Sequence, residues 1–107
     1  MPWSKLGRFE ILLPLQYNDG SPVEQEKFTH TRHELDNQFG GSSADPIPIS
    51  GHWFFQGTLY EDNLLRIRVD APYTRKNRTF FRRYKERLKE RFRQEEIWVT
   101  VHEIEVL

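Results

Sequence analysis

Along residues 8–17 apolar positions alternate with others: Phe9, Ile11, Leu13, Leu15 and Tyr17 are separated by Arg8, Glu10, Leu12, Pro14 and Gln16. Period-two patterning predicts a strand with one buried face. Pro14 has no N–H to give a ladder, so a bulge or an unpaired side is expected there. Asn18-Asp19-Gly20 ends the strand in a turn. Ser21-Pro22-Val23-Glu24 has the form of a capping box with proline at the first helical position. It predicts a helix over 22–39. Phe28, Leu35 and Phe39, with Val23 and Thr31 nearby, mark its apolar face, and Gly40-Gly41 supplies the stop. His30, Arg32, His33, Glu34 and Asp36 fall mostly on the outer surface.

Residues 42–50 hold Ser, Asp and two prolines and read as a loop, with Ile47 and Ile49 able to begin a strand. Gly51-His52-Trp53-Phe54-Phe55 reads as a strand, Gln56-Gly57 as a tight hairpin turn, and Thr58-Leu59-Tyr60 as the return. Leu59 is in phase with Leu65, Ile67 and Val69, which predicts one strand over 58–70 unless Glu61-Asp62-Asn63 bulges or breaks it. Asp70-Ala71-Pro72-Tyr73 closes that strand, and Thr74 can cap a second helix over 75–93. Phe81, Tyr84, Leu88 and Phe92 recur there at spacings of three and four, with Phe80 beside them. Ile97 to Leu107 reads as a final strand. Its buried face stays open, because Ile97, Val99 and Val101 compete with Trp98, Ile104 and Val106.

The order strand, helix, hairpin, helix, strand is that of the ferredoxin-like split β-α-β unit. The expectation is therefore one α+β domain over 1–107, β-α-β-β-α-β, with an antiparallel sheet and two helices on one face. A chain of 107 residues has room for one domain and one modest core. Aromatic residues, 14% of the chain, enlarge that core because each ring buries a large apolar area. The absence of cysteine excludes disulfides, thiolate zinc sites and cysteine nucleophiles. No run approaches the roughly 20 apolar residues of a membrane span. Met1-Pro2-Trp3-Ser4-Lys5-Leu6 lacks the apolar stretch of a signal peptide. The reading is a cytoplasmic protein with no membrane partner.

Charge changes the picture. The chain holds 16 basic and 16 acidic residues. Yet residues 71–93 hold ten Lys/Arg against two acids, while 94–107 hold four acids and no Lys/Arg. Such a local excess governs partner choice more than the total does.

Phe39-Gly40-Gly41, Gly51-His52-Trp53, Gly57 and Glu61-Asp62 resemble small bacterial proteins of unknown function that pair a phenylalanine-glycine helix end with a glycine-x-tryptophan strand. The resemblance covers the middle third of the chain. It implies an α+β domain and carries over no activity.

The leading functional feature is the second helix. Arg75, Arg78, Arg82, Lys89 and Arg93 cluster on one side, flanked by Lys76, Arg83, Arg87 and Arg91. Arginine's planar fork suits phosphate and carboxylate, and nucleic acids are polyanions whose binding is carried by such contacts. The competing reading is a solvated face supported by Glu86–Lys89 and Glu90–Arg93 pairs. The first expectation is a non-enzymatic binding or regulatory module. In it Arg75, Arg78, Arg82, Arg83, Lys89 and Arg93 contact nucleic acid or an acidic protein surface.

Trp53, Phe54 and Phe55 are consecutive, so at least one must point away from the helices. Tyr17, Tyr60 and Trp98 can join it on the open face of the sheet. Trp53, Phe55 and Trp98 are accordingly expected at a hydrophobic interface, a homodimer in preference to stacked bases. The alternative is a small cofactor-free dimeric enzyme with a pocket near the 51–62 hairpin, where His52 and Asp62 are weak acid-base candidates. A third reading is a structural subunit of a larger assembly. His30 and His33 have ligand spacing but no third ligand by pattern. Glu61, Asp62 and Asp70 match no calcium loop. No metal or cofactor is expected. Gly40-Gly41-Ser42-Ser43 lacks the spacing and lysine of a phosphate loop.

Overall fold

The structure is a computed structural model describing the backbone of residues 5–55 and 58–107 and the side chains of residues 5–46 and 64–107. The elements follow the order β1 (Leu6–Pro14), α1 (Gln25–Phe39), β2 (Ser43–Phe55), β3 (Thr58–Pro72), α2 (Arg75–Arg91) and β4 (Trp98–Ile104). The strands form an antiparallel sheet in the order β2-β3-β1-β4. This is the ferredoxin-like α+β arrangement predicted from the element order.

β1 is central and pairs on both sides. Phe9 lies opposite Val69 and Val101, Ile11 opposite Ile67 and Val99, and Leu13 opposite Leu65. Cross-strand partners share a face, so these residues form one apolar surface. Both helices cover it. Phe28 and Leu35 come down from α1, and Phe81, Tyr84 and Leu88 from α2, followed by Phe92 just past the helix. Leu13, Leu35, Ile67, Leu88 and Phe92 are fully buried, and each such side chain contributes about 1.5–3 kcal/mol. Ile97 is buried and Trp98 is 63% exposed. The open question of the last strand is thus resolved for its first half, with Val99 and Val101 packed against the core. Gly7 also faces the helices. A Cβ there would stand 2.7 Å from Cδ2 of Tyr73 and 3.1 Å from Val101, so only glycine leaves room for the Tyr73 ring.

Pro14 needs no bulge. The β1–β4 ladder ends at Leu12 and Trp98, so Pro14 lies past it on that side. The predicted loop over 42–50 is instead strand, because β2 begins at Ser43. Its prolines are tolerated because β2 is an edge strand. The register shifts between Ile47 and Ser50, around Pro48. β3 continues unbroken through Glu61-Asp62-Asn63, so the irregularity belongs to the partner strand.

The predicted capping box is not formed. Helix α1 starts at Gln25, and its N-cap Glu24 makes no side-chain cap bond. The preceding turn takes the groups the box would use. Ser21 donates its N–H (2.9 Å) and hydroxyl (2.6 Å) to Asp19, and its carbonyl accepts from the Tyr17 N–H at 2.8 Å. Pro22 bridges to Gln16. Asx-turn bonding therefore competes with the helix for Ser21 and prevails. The stop is as expected: Gly40 has φ 88° and donates to the Asp36 carbonyl at 2.7 Å. Thr74 caps α2 by accepting from the Asn77 N–H at 3.2 Å. Arg93 closes α2 at φ 55°, where glycine is usual. The Gln94 N–H reaches the Lys89 carbonyl at 2.8 Å in a Schellman arrangement.

The two helices are also joined by a polar clasp around Glu34. Its carboxylate accepts from Arg91 at 2.7 Å, Tyr84 at 2.9 Å and Arg87 at 3.2 Å, and His30 lies 3.7 Å away. Arg91 also donates to Thr31 Oγ1 at 2.8 Å. Burial pushes the Glu34 carboxyl up, but the hydrogen bonds from Arg91 and Tyr84 and the Arg91 charge outweigh it. The group ends below the usual carboxylate range. Burial and the bond to Glu34 push the Tyr84 hydroxyl up to about 12. A carboxylate with a depressed pKa in the folded state stabilises fully above its unfolded value and loses that contribution as pH falls through the folded one. Stability is therefore expected to decline below about pH 4.3. Glu34→Gln is predicted to cost about 1–3 kcal/mol near neutral pH, because Arg91 loses its counter-charge while 87% shielded from solvent. Denaturant titrations near neutrality and in acid check both points. The variant should lose less on acidification than the parent, and equal losses would remove Glu34 as the acid-sensitive group.

Candidate anion-binding face on α2

Helix α2 is set in rotation by its buried residues. Phe81, Tyr84 and Leu88 face the core, so at 100° per residue Arg75, Arg78, Arg82 and Lys89 fall along one flank of the helix, and Thr79, Glu86 and Glu90 lie opposite the core. Lys76, Arg83 and Arg87 line the other flank. Of these, Arg75, Lys76, Arg82, Arg83 and Arg87 are exposed, while Arg78 and Lys89 are half-buried.

The two halves of the helix differ in how their charge is met. In the second half every cation has a partner. Lys85 pairs with Glu96 at 2.8 Å, Arg87 and Arg91 with Glu34, and Lys89 with Glu86 at 3.3 Å. Just beyond the helix, Arg93 lies over the Tyr17 ring at 4.7 Å. In the first half Arg75, Lys76, Arg78, Arg82 and Arg83 make no ion pair among the described residues. Arg78 stacks over Tyr73 at 5.1 Å, which holds the guanidinium by its face and leaves its charge uncompensated. No acidic residue occupies the first turn. Of the six predicted anion contacts, Arg75, Arg78, Arg82 and Arg83 thus lie in the first half of the helix with no ion pair among the described residues, Lys89 is paired with Glu86, and Arg93 is stacked on a tyrosine ring as Arg78 is.

Two hollows flank this half of the helix. One, of about 640 Å³, is lined among the described residues by α2 alone, with Arg75, Lys76, Arg83 and Arg87 around Thr79, Phe80 and Tyr84. The other, of about 260 Å³, runs between α2 and β4, with Arg78, Arg82 and Lys85 above Phe9, Phe81, Val99 and Val101. The spacing of cations was legible in the sequence. The aromatic floor beside them was not, since Phe80 reads there only as a companion of the core.

The open face of the sheet is largely a charged lattice. Arg8 binds Asp70 through two bonds of 2.9 and 3.1 Å, and Arg66 and Arg68 both reach Asp45, at 3.3 and 2.9 Å. The Arg8 hydrogen bond outweighs burial and holds the Asp70 carboxyl below its usual range. Asp70 is therefore committed to Arg8, away from the acid trio suggested with Glu61 and Asp62. Trp98, opposite Leu12, is exposed on this same face. Tyr17 is not: it is buried, its hydroxyl bonded to Glu24 and Lys27, with Lys27 continuing to the Arg91 carbonyl at 2.8 Å.

The remaining predicted residues sit on the hairpin arm, where β2 and β3 pair beyond the end of β1. In register Trp53 lies opposite Tyr60, Phe55 opposite Thr58, His52 opposite Glu61 and Asp62 opposite Gly51. The side chains of Trp53, Phe55, His52 and Asp62 lie outside the described residues. Among the described residues no cluster of three or more His, Asp or Glu side chains forms a metal site, and no helix is long and apolar enough to cross a membrane.

No protein-family model matches the sequence, and no curated protein matches it. Among solved structures, the chain is similar to a phage SAM lyase in complex with S-methyl-5'-thioadenosine. The two share 17% identity, with a TM-score of 0.68, over 94% of this chain and 90% of that one. At that identity the likeness is one of fold.

Proposed function

We propose that this protein is a binding module that engages an anionic partner through the first half of α2, nucleic acid being the polyanion that this face fits best. The observation that carries the reading is the set Arg75, Lys76, Arg78, Arg82 and Arg83, which has no acidic partner among the described residues. Folding alone disfavours that set. Arg75, Lys76 and Arg78 in the first turn oppose the helix dipole, and the five like charges repel one another; solvent and salt screen part of this, and a bound anion would offset the rest. Arginine dominates, and its fork meets phosphate oxygens in pairs. An acidic protein surface is the other outcome of the same test.

In a fluorescence-anisotropy titration with a mixed-sequence oligonucleotide, affinity should fall linearly on a logarithmic salt scale. Four phosphate contacts correspond to a slope of roughly −3 to −4. The double charge reversal Arg78→Glu with Arg82→Glu should reduce affinity at least about 100-fold and flatten the slope, with the circular dichroism spectrum unchanged. Lys89→Glu, at a cation already paired with Glu86, should do much less. If the parent chain binds no oligonucleotide even at low salt, nucleic acid is excluded as the partner.

A second reading rests on the whole-length likeness in fold to a SAM lyase bound to S-methyl-5'-thioadenosine. In it the chain binds a 5'-thioadenosine group, and the enzyme alternative, with His52 and Asp62 moving protons on the hairpin arm, becomes the working mechanism. Saturable heat release on titration with S-methyl-5'-thioadenosine, and its formation from SAM, would support this reading. Absence of both would leave the likeness one of fold alone.

The proposal extends to a homodimer through the open sheet face, where Trp98 is 63% exposed beside Leu12. Light scattering should then give twice the chain mass, and Trp98→Glu should return it to 13.0 kDa. A parent chain that is already monomeric removes this interface.

A further inference from the structure

We infer that the hollow beside α2 is a seat for an unpaired nucleotide, so that the partner of this face is a single strand and not a duplex. The inference rests on the nucleic-acid reading of α2 and names the form of nucleic acid. The hollow combines two chemistries. Its floor is aromatic: the Phe80 ring packs edge-on against Phe39 at 5.1 Å and against Phe81 at 5.3 Å, and lies nearly parallel to Tyr84 at 5.4 Å. Three rings thus hold Phe80 from behind and from the sides, yet it is only half-buried and lines the hollow. A ring fixed in this way keeps little rotamer freedom to lose when a flat ligand covers it. Its rim is cationic. Arg75, Lys76 and Arg83 surround the floor with no acid to answer them among the described residues, and Arg87 shares its charge with Glu34 at 3.2 Å.

A base with its adjoining phosphate matches both parts. The base stacks on the ring, and the phosphate, one nucleotide unit away, meets the rim. A duplex supplies the phosphate but not the base face, because its bases are covered by their neighbours in the stack. An acidic protein strand supplies the charge, but pairs it with a flat ring only where an aromatic residue adjoins the acid. About 640 Å³ is in the range of small-ligand sites and ample for one nucleotide. Stacking on an aromatic side chain is tolerant of sequence, so the seat is expected to be weakly selective among bases. Arg78 and Arg82, on the adjacent side of the helix, would continue the phosphate track that the seat begins.

The test compares a mixed-sequence single strand with a duplex of equal length, by anisotropy, for the parent chain and three variants. The parent should prefer the single strand. Phe80→Leu, which keeps an apolar side chain but removes the ring face, should lose roughly ten-fold for the single strand and leave the duplex unchanged. Equal losses for both, or none for either, would overturn the seat. Lys76→Glu, on the exposed rim and in no ion pair, guards against misfolding of the Phe80 variant. It should weaken single-strand binding more than duplex binding, and an equal effect counts against the seat. Arg78→Glu with Arg82→Glu separates the anion-binding face from the nucleotide seat. If it weakens both forms while Phe80→Leu weakens neither, the anionic face stands and the seat falls. If the parent binds neither form, the seat and the nucleic-acid reading of α2 fall together.

Discussion

The stack of Phe9, Phe81 and Phe39 is the contact on which the rest depends. Phe81 lies nearly parallel to Phe9 at 4.2 Å and to Phe39 at 5.2 Å. One column of rings therefore joins the central strand, the second helix and the end of the first. Each pair adds about 0.5–1.5 kcal/mol beyond the area it buries. The greater consequence is directional. With Phe81 held between two rings, α2 cannot roll, and every other position on the helix is assigned a side. Tyr84 and Leu88 follow Phe81 inward, Arg75 and Arg82 turn outward, Arg78 is left half-buried on the β4 side, and Phe80 is left at the other margin, where one part of its ring meets the core and another the hollow.

Given that rotation, the electrostatics divide the helix along its length. The second half is met by acids of α1 and of the connection that leads into β4: Glu34 holds Arg87 and Arg91, and Glu96 holds Lys85. The first half finds no such acids among the described residues. The local charge excess is thus partly structural and partly uncommitted. Counting charges along the chain overstates the uncommitted part, because it adds cations that the fold has already neutralised to those it has not.

The sheet's open face follows a different rule. Arg8, Arg66 and Arg68 alternate with Asp45 and Asp70 across three strands, so the face is satisfied without a partner over much of its area. Ion pairs of this exposure contribute little stability. They do replace the aromatic platform expected from the hairpin with a polar one over its described part, and they leave Trp98 and Leu12 as its apolar end. The aromatic hairpin residues belong instead to an arm of two strands beyond β1, a form that is marginal on its own.

Element order, the ferredoxin-like arrangement, the inward residues of β1 and α2, the cap at Thr74 and the stop at Gly40 could all be read along the chain. Each follows from interactions between residues a few positions apart, or from the alternation that a buried face imposes. The start of α1 departs from the sequence expectation for a local reason of the same kind, two neighbouring motifs competing for Ser21. The second part of β2, residues 51–55, reads as a strand, but its first part reads as a loop, because two prolines in a short segment look like one unless the segment is known to lie at a sheet edge. The cations of α2 were visible as a pattern, but not which of them remained available. That distinction, the Glu34 clasp, the burial of Tyr17 and the aromatic floor under Phe80 were decided by tertiary structure alone. They depend on which residues distant in sequence meet when two helices are laid across one sheet, and the period of a sequence fixes the face a residue takes but not the partner it finds there.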